Sequence, residues 1–258
     1  MGKFLLGTNW KMNKTTAEGL AYTDGLTDII PKFPEYQFFI CPPYVQLWKQ
    51  RELIDSKKST LMLGAQNVHY EDCGQFTGEI SPDMLKEIGL DLLEIGHSER
   101  RQYYNETDYT VNKKVLAGLK HGFTTLICVG DYMQEKEFSV SAEVLAKQIK
   151  IALHGVDEKD LDRVWIAYEP YWAIGVQGIP AEPEVVDSLH TMMRGVLVDL
   201  YGERGKDIPL LFGGSVNIKN AVAYAKCQDV NGLFIGRAAW HTDTFEEIMT
   251  ALREAGIR

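Results

Sequence analysis

Eight short apolar runs punctuate the chain: residues 3–8 (KFLLGT), 37–42 (QFFICP), 61–66 (LMLGAQ), 91–97 (DLLEIGH), 124–130 (TTLICVG), 163–170 (RVWIAYEP), 208–214 (IPLLFGG) and 231–237 (NGLFIGR). Each is continuous rather than alternating, the pattern of a parallel strand buried on both faces. Segments with helical spacing lie between them, among them residues 82–87, 107–120, 140–153, 184–200 and 244–255. A repeating strand-then-helix order predicts right-handed crossovers and a parallel sheet. Eight such units in a chain of 258 residues match the count and size of a (β/α)₈ barrel. A doubly wound sheet is the competing architecture, but no Gly-rich dinucleotide fingerprint follows any of the runs. No low-complexity stretch or linker interrupts the pattern, so one barrel domain over residues 1–258 is expected.

Composition narrows the function. With 45% hydrophobic residues the chain can bury a sizeable core. A net charge of −9 argues against a nucleic-acid role, because a phosphate backbone is held by clustered Lys and Arg. An anionic substrate would need a local trap. No stretch reaches the roughly 18 apolar residues of a membrane span, and MGKFLLGT does not read as a signal peptide, so no membrane association and a cytoplasmic location are expected. Cys41, Cys73, Cys128 and Cys227 are scattered, with neither C-x-x-C nor a nearby His at ligand spacing, which suits a reducing compartment and no metal.

In a (β/α)₈ barrel the chemistry sits where the strands end. Here those ends carry Asn9 and Lys11 after the first run, His97 after the fourth and Glu169 after the sixth. The seventh closes on Gly213-Gly214-Ser215 and the eighth on Gly236-Arg237. Taken singly, each has an ordinary reading. Glu169 can be a solvated loop residue, His97 can cap the helix that Ser98-Glu99-Arg100 begins, Lys11 can be a surface lysine, and glycines serve tight turns. Their convergence at the ends of one barrel is what points to a site.

The segments NWKMN (9–13), GQFTGEISP (74–82), EIGHSERR (94–101), AYEPYWAIG (167–175) and FGGSVN (212–217) occur in an order and spacing that resemble the triosephosphate isomerase family over essentially the whole chain. The resemblance implies proton transfer through an enediolate, with no metal or organic cofactor. Glu169 would be the mobile base, fixed from behind by Pro170. A neutral His97, Lys11 and Asn9 would meet the charge that develops on oxygen, and Glu99 would hold Lys11. The substrate's phosphate would rest on backbone N–H groups of Gly175, Ser215, Gly236 and Arg237. The loop with Thr77 at its tip would enter a neighbouring subunit, giving a homodimer. A carboxylate base paired with a neutral imidazole is the family's own pattern, so these roles come with the resemblance and not from the spacing of the residues.

This chain departs from the family at the lid and the phosphate grip. Its lid, GVQGIPAEPE (175–184), is one residue longer and carries Pro180. Phe212 stands where a Tyr hydroxyl usually reaches the lid, and Arg237 where a second glycine is usual. Two substrate readings follow: dihydroxyacetone phosphate with D-glyceraldehyde 3-phosphate, or L-erythrulose 1-phosphate with D-erythrose 4-phosphate, as in a sister subgroup. A barrel that binds a phosphosugar without turnover is the reading from another class.

Overall fold

All eight apolar runs are strands in the computed structural model, which describes residues 2–174 and 178–258. They are β1 (Phe4–Asn9), β2 (Tyr36–Cys41), β3 (Met62–Ala65), β4 (Leu92–Ile95), β5 (Thr124–Val129), β6 (Val164–Tyr168), β7 (Leu210–Phe212) and β8 (Gly232–Ile235). Each pairs in parallel with the next, and β8 returns to β1, so the sheet closes into a barrel in sequence order. Every run but the first, which stops a residue short of Asn9, ends one or two residues beyond its strand, because the apolar sequence flows into the turn that follows.

Side chains alternate across each strand. One set points inward and packs on itself: Leu5, Phe39, Leu92, Leu126, Trp165, Leu211 and Phe234, with Cys41 and Cys128 toward the end that carries the site residues. The other set, including Leu6, Phe38, Ile40, Leu93 and Ile127, faces the surrounding helices. Phe39 fills the barrel because Gly7 makes room: a Cβ at Gly7 would lie 2.1 Å from the Phe39 ring.

Ten α-helices are present among the described residues: α1 (Thr16–Ile29), α2 (Leu47–Ser56), α3 (Pro82–Ile88), α4 (Ser98–Tyr103), α5 (Asp108–Lys120), α6 (Met133–Glu137), α7 (Ser141–Ala152), α8 (Pro183–Tyr201), α9 (Ala221–Ala225) and α10 (Thr242–Glu254). The five segments with helical spacing correspond to α3, α5, α7, α8 and α10. Local chemistry sets several starts. Thr15 and Glu18 form a capping box at α1, and Ser81 caps α3 ahead of Pro82. Gly89, at φ 81°, then closes α3 in the left-handed conformation. None of the described helices is long and apolar enough to cross a membrane.

Candidate active site

β1 delivers two groups to the open end of the barrel. Asn9, its last residue, is fixed on three sides. Its Oδ1 accepts the Lys11 backbone N–H at 2.5 Å, its Nδ2 donates to Glu94 Oε1 at 2.7 Å, and its carbonyl accepts Trp240 Nε1 at 2.9 Å. Lys11 follows in the left-handed region, φ 53°, a conformation costing a non-glycine residue on the order of 1 kcal/mol or more. It persists because both ends are tied. Gln66 Nε2 donates to the Lys11 carbonyl at 2.9 Å, and Lys11 Nζ donates to Glu99 Oε1 at 2.8 Å. That ion pair is partly open to solvent, so its main effect is to aim the ammonium rather than to stabilise the fold.

His97 joins β4 to α4, and it both caps the helix and faces the site. Its Nδ1 accepts the Glu99 backbone N–H at 3.2 Å, which leaves the ring proton of a neutral imidazole on Nε2. Burial, and then the charges of Lys11 and Arg100, hold the ring well below the usual imidazole range. His97 is therefore an uncharged donor at neutral pH, with Nε2 lying 3.5 Å from Glu169 Oε1.

Glu169 directly follows β6, where its backbone N–H bonds the Val129 carbonyl at 2.8 Å. Pro170 and the turn Tyr171–Ala173 come next. Asp131 pins this turn by accepting the Tyr171 backbone N–H at 3.0 Å, Tyr168 Oη at 3.0 Å and Trp172 Nε1 at 3.2 Å. Gly213 leaves the Glu169 side chain its space, since a Cβ there would lie 2.9 Å from Glu169 Cγ. Glu169 is only 3% exposed. Burial pushes it up to about 7, against the opposing pull of Lys11, the Cys128 thiol and the Ser98 backbone N–H.

Asn9, Lys11, His97, Glu99 and Glu169 share a cavity of about 670 Å³ with Ser215, Gly236 and Arg237. All the expected site residues but two line it. Gly175 lies outside the described residues, and Thr77 sits in an exposed loop away from the cavity lining. Arg237 is exposed at its edge, opening a short turn, Arg237–Ala239, directly after Gly236. Among the described residues no group of three or more His, Cys, Asp or Glu side chains is placed to hold a metal ion.

A neutral imidazole donor, an ammonium and a carboxylate near neutrality around one cavity can move a proton beside a carbonyl. The family model described as triosephosphate isomerase matches residues 4–252. The chain belongs to the triosephosphate isomerase family. An L-erythrulose-1-phosphate isomerase of Rhizobium etli is 42% identical over 252 residues, covering 97% of this chain and 92% of that protein. Another, of Mesorhizobium japonicum, is 42% identical over 95% of this chain and 96% of its own length. The triosephosphate isomerase of Aquifex aeolicus is 39% identical, covering 95% of this chain and 98% of that protein. As a member of the triosephosphate isomerase family, the protein is an isomerase.

Several residues around this isomerase site leave no mark in the sequence. Gln66, Trp240 and Asp131 act through contacts distant in sequence, for which no local signal exists. The missing hydroxyl at Phe212 has neighbours that reach the lid flanks: Tyr224 Oη donates to the Ala181 carbonyl at 2.7 Å, and Ser215 Oγ to the Ala173 carbonyl. Phe212 itself is buried, its ring 4.5 Å from that of Tyr224. Glu94 did leave a signal, a carboxylate in the middle of an apolar run.

Proposed function

We propose that the isomerase acts on L-erythrulose 1-phosphate, with Glu169 as the base and His97, Lys11 and Asn9 as the groups that meet charge on oxygen. The observation that carries the chemistry is the His97 tautomer: with Nδ1 occupied by the Glu99 N–H, an Nε2–H donor faces Glu169 across 3.5 Å. Glu169 removes the proton from C3, beside the C2 carbonyl, and negative charge passes to O2. His97 Nε2–H, Lys11 and the spare N–H of Asn9 stabilise that oxygen and its neighbour. The proton on O3 passes to O2, and Glu169 returns its proton to C2.

Atom bookkeeping revises the expected product. One such step moves the carbonyl from C2 to C3, which gives a tetrulose 4-phosphate, still a ketose. D-erythrose 4-phosphate lies one further shift away. On dihydroxyacetone phosphate the same step gives D-glyceraldehyde 3-phosphate, the triose alternative.

The four-carbon reading is supported by the names of the two relatives above and by this chain's longer lid and Arg237. Backbone N–H groups at Ser215, Gly236 and Arg237 hold the phosphate, with Gly175 as the family's fourth member of that cradle. Local dipoles of this kind offset the net charge of −9 once water is excluded. The exposed loop with Thr77 and Phe76 meets a second copy of the chain near Met12, itself 95% exposed beside Lys11, giving a homodimer.

Comparing kcat/KM on L-erythrulose 1-phosphate and on dihydroxyacetone phosphate, for the wild type and Arg237→Gly, tests the substrate. The expected result is a higher value on the tetrulose for the wild type and a shift toward the triose for the variant. A wild type that prefers the triose, with no shift in the variant, restores the triosephosphate isomerase reading. No turnover of either leaves a phosphosugar-binding barrel.

A further inference from the structure

Glu94 has the inward parity of Leu92 on β4, placing a carboxyl among the apolar side chains that fill the barrel. It is 0% exposed and absent from the cavity lining, so it lies behind the groups that touch substrate. Oε1 accepts the Asn9 Nδ2 donor at 2.7 Å and stands 4.0 Å from His97 Nε2. Oε2 is buried with no hydrogen-bond partner, as is Oε2 of Glu169. A carboxyl held by one neutral amide, with the Cys41 thiol and another carboxyl beside it and no cation among the described residues in hydrogen-bond contact, is an arrangement that disfavours charge.

We propose that Glu94 is a positioning residue, kept as an uncharged carboxylic acid beneath the site, whose carbonyl oxygen anchors Asn9 and whose neutrality lets Glu169 ionise. This rests on the isomerase reading of the site and not on the choice of substrate. The proton sits on Oε2, since Oε1 is occupied as an acceptor. Asn9 is then fully directed: Oδ1 takes the Lys11 N–H, one Nδ2 hydrogen goes to Glu94, and the other is left for the cavity.

Burial, and then the charge of Glu169, raise Glu94 well above the usual carboxylate range, while the Asn9 bond and Lys11 pull it back only in part and Glu99 adds to the rise. Across the barrel, the β2 thiol of Cys41 and the β5 thiol of Cys128 are raised well up, first by burial, so neither brings a positive charge that would answer an ionised Glu94. His97 stays neutral, so no cation but Lys11 among these groups answers a second carboxylate.

The test uses Glu94→Gln, which keeps the shape and the neutral carbonyl, and Glu94→Val, which removes the anchor. For the whole chain, kcat/KM is followed against pH and the protonated-carboxyl stretching band is read by infrared difference spectroscopy at about pH 9, where Glu169 is ionised and contributes no such band. The expected result is a wild-type band missing from Gln. Gln should also leave the acid-limb midpoint of kcat/KM unchanged and keep kcat within about threefold. Val should lose on the order of ten- to a hundredfold in kcat, with KM little changed, because Asn9 drifts. A midpoint that falls by about a unit or more in Gln shows that a negative charge was removed beside Glu169, and overturns the proposal. So does the absence of the band in the substrate-free wild type, a result independent of any substrate assignment. If Gln instead falls as far as Val, the neutral-anchor role is rejected.

Discussion

His97 Nε2 and Glu169 Oε1 lie 3.5 Å apart with both side chains almost closed to solvent, a neutral donor facing an acid poised near neutrality. A donor so placed costs no reorganisation when charge develops on the substrate oxygen. His97→Gln, which loses the ring donor and the Nδ1 cap on α4, should lower kcat by roughly two to three powers of ten with a smaller change in KM. Steady-state kinetics on the phosphorylated ketose decide it; a KM effect alone would remove His97 from the chemistry.

If Glu169 is the base, it acts only when ionised, so kcat/KM should rise with pH and level off above about 7. The substrate phosphate titrates at about 6 and must be corrected for. His97, held low, should add no limb. An acid limb confined to the phosphate's own ionisation would contradict the burial-raised base.

The same shift bears on stability. With a folded value near 7 against an ordinary 4.5, Glu169 keeps in the native state a proton that the unfolded chain has already lost. Its contribution therefore falls as pH rises from about 4.5 to about 7, by roughly 3 kcal/mol at most. Glu169→Gln should lack that decline, so its advantage over the wild type in urea melts should grow from pH 5 to pH 8. A constant difference would mean that Glu169 is ionised at both pH values.

Lys11→Met should raise KM and lower kcat together, since in the proposed mechanism the ammonium meets the bound anion in the ground state as well as the enediolate. The Glu99 carboxylate loses its 2.8 Å partner in that variant. A pure kcat effect would place the charge on the transition state alone.

If the Thr77 loop joins two copies of the chain, shortening it over residues 74–79 should yield monomers of lower activity while the circular dichroism spectrum stays that of the barrel. Light scattering with an activity assay reads both. Fully active monomers would show that each barrel carries a complete site.

Much of this architecture was legible because strands buried on both faces write themselves as unbroken apolar runs, and Asn9, His97 and Glu169 interrupt or follow them where barrel chemistry belongs. The short helices leave no such trace: α6 and α9 have five residues each, too few for a periodic stripe. In α1 the buried face includes Gly19, Thr23 and Thr27, which blurs the apolar pattern. Asp131, Gln66, Trp240 and Tyr224 reach the site region through tertiary contacts alone. Glu94 lay in plain view within DLLEIGH, but its meaning required the barrel, which turns mid-strand parity into burial beneath Asn9.

Turnover of L-erythrulose 1-phosphate in D₂O, with the position of the isotope in the product read by NMR, separates base-mediated proton transfer from direct hydrogen transfer. If Glu169 carries the proton through an enediolate, deuterium exchanged onto the base should enter the carbon that was C2 of the substrate. Glu169→Gln should form neither product nor label. Product formed at wild-type rate by Glu169→Gln, with no solvent deuterium at that carbon, would mean direct hydrogen transfer between the two carbons, and would contradict the assignment of Glu169 as the base.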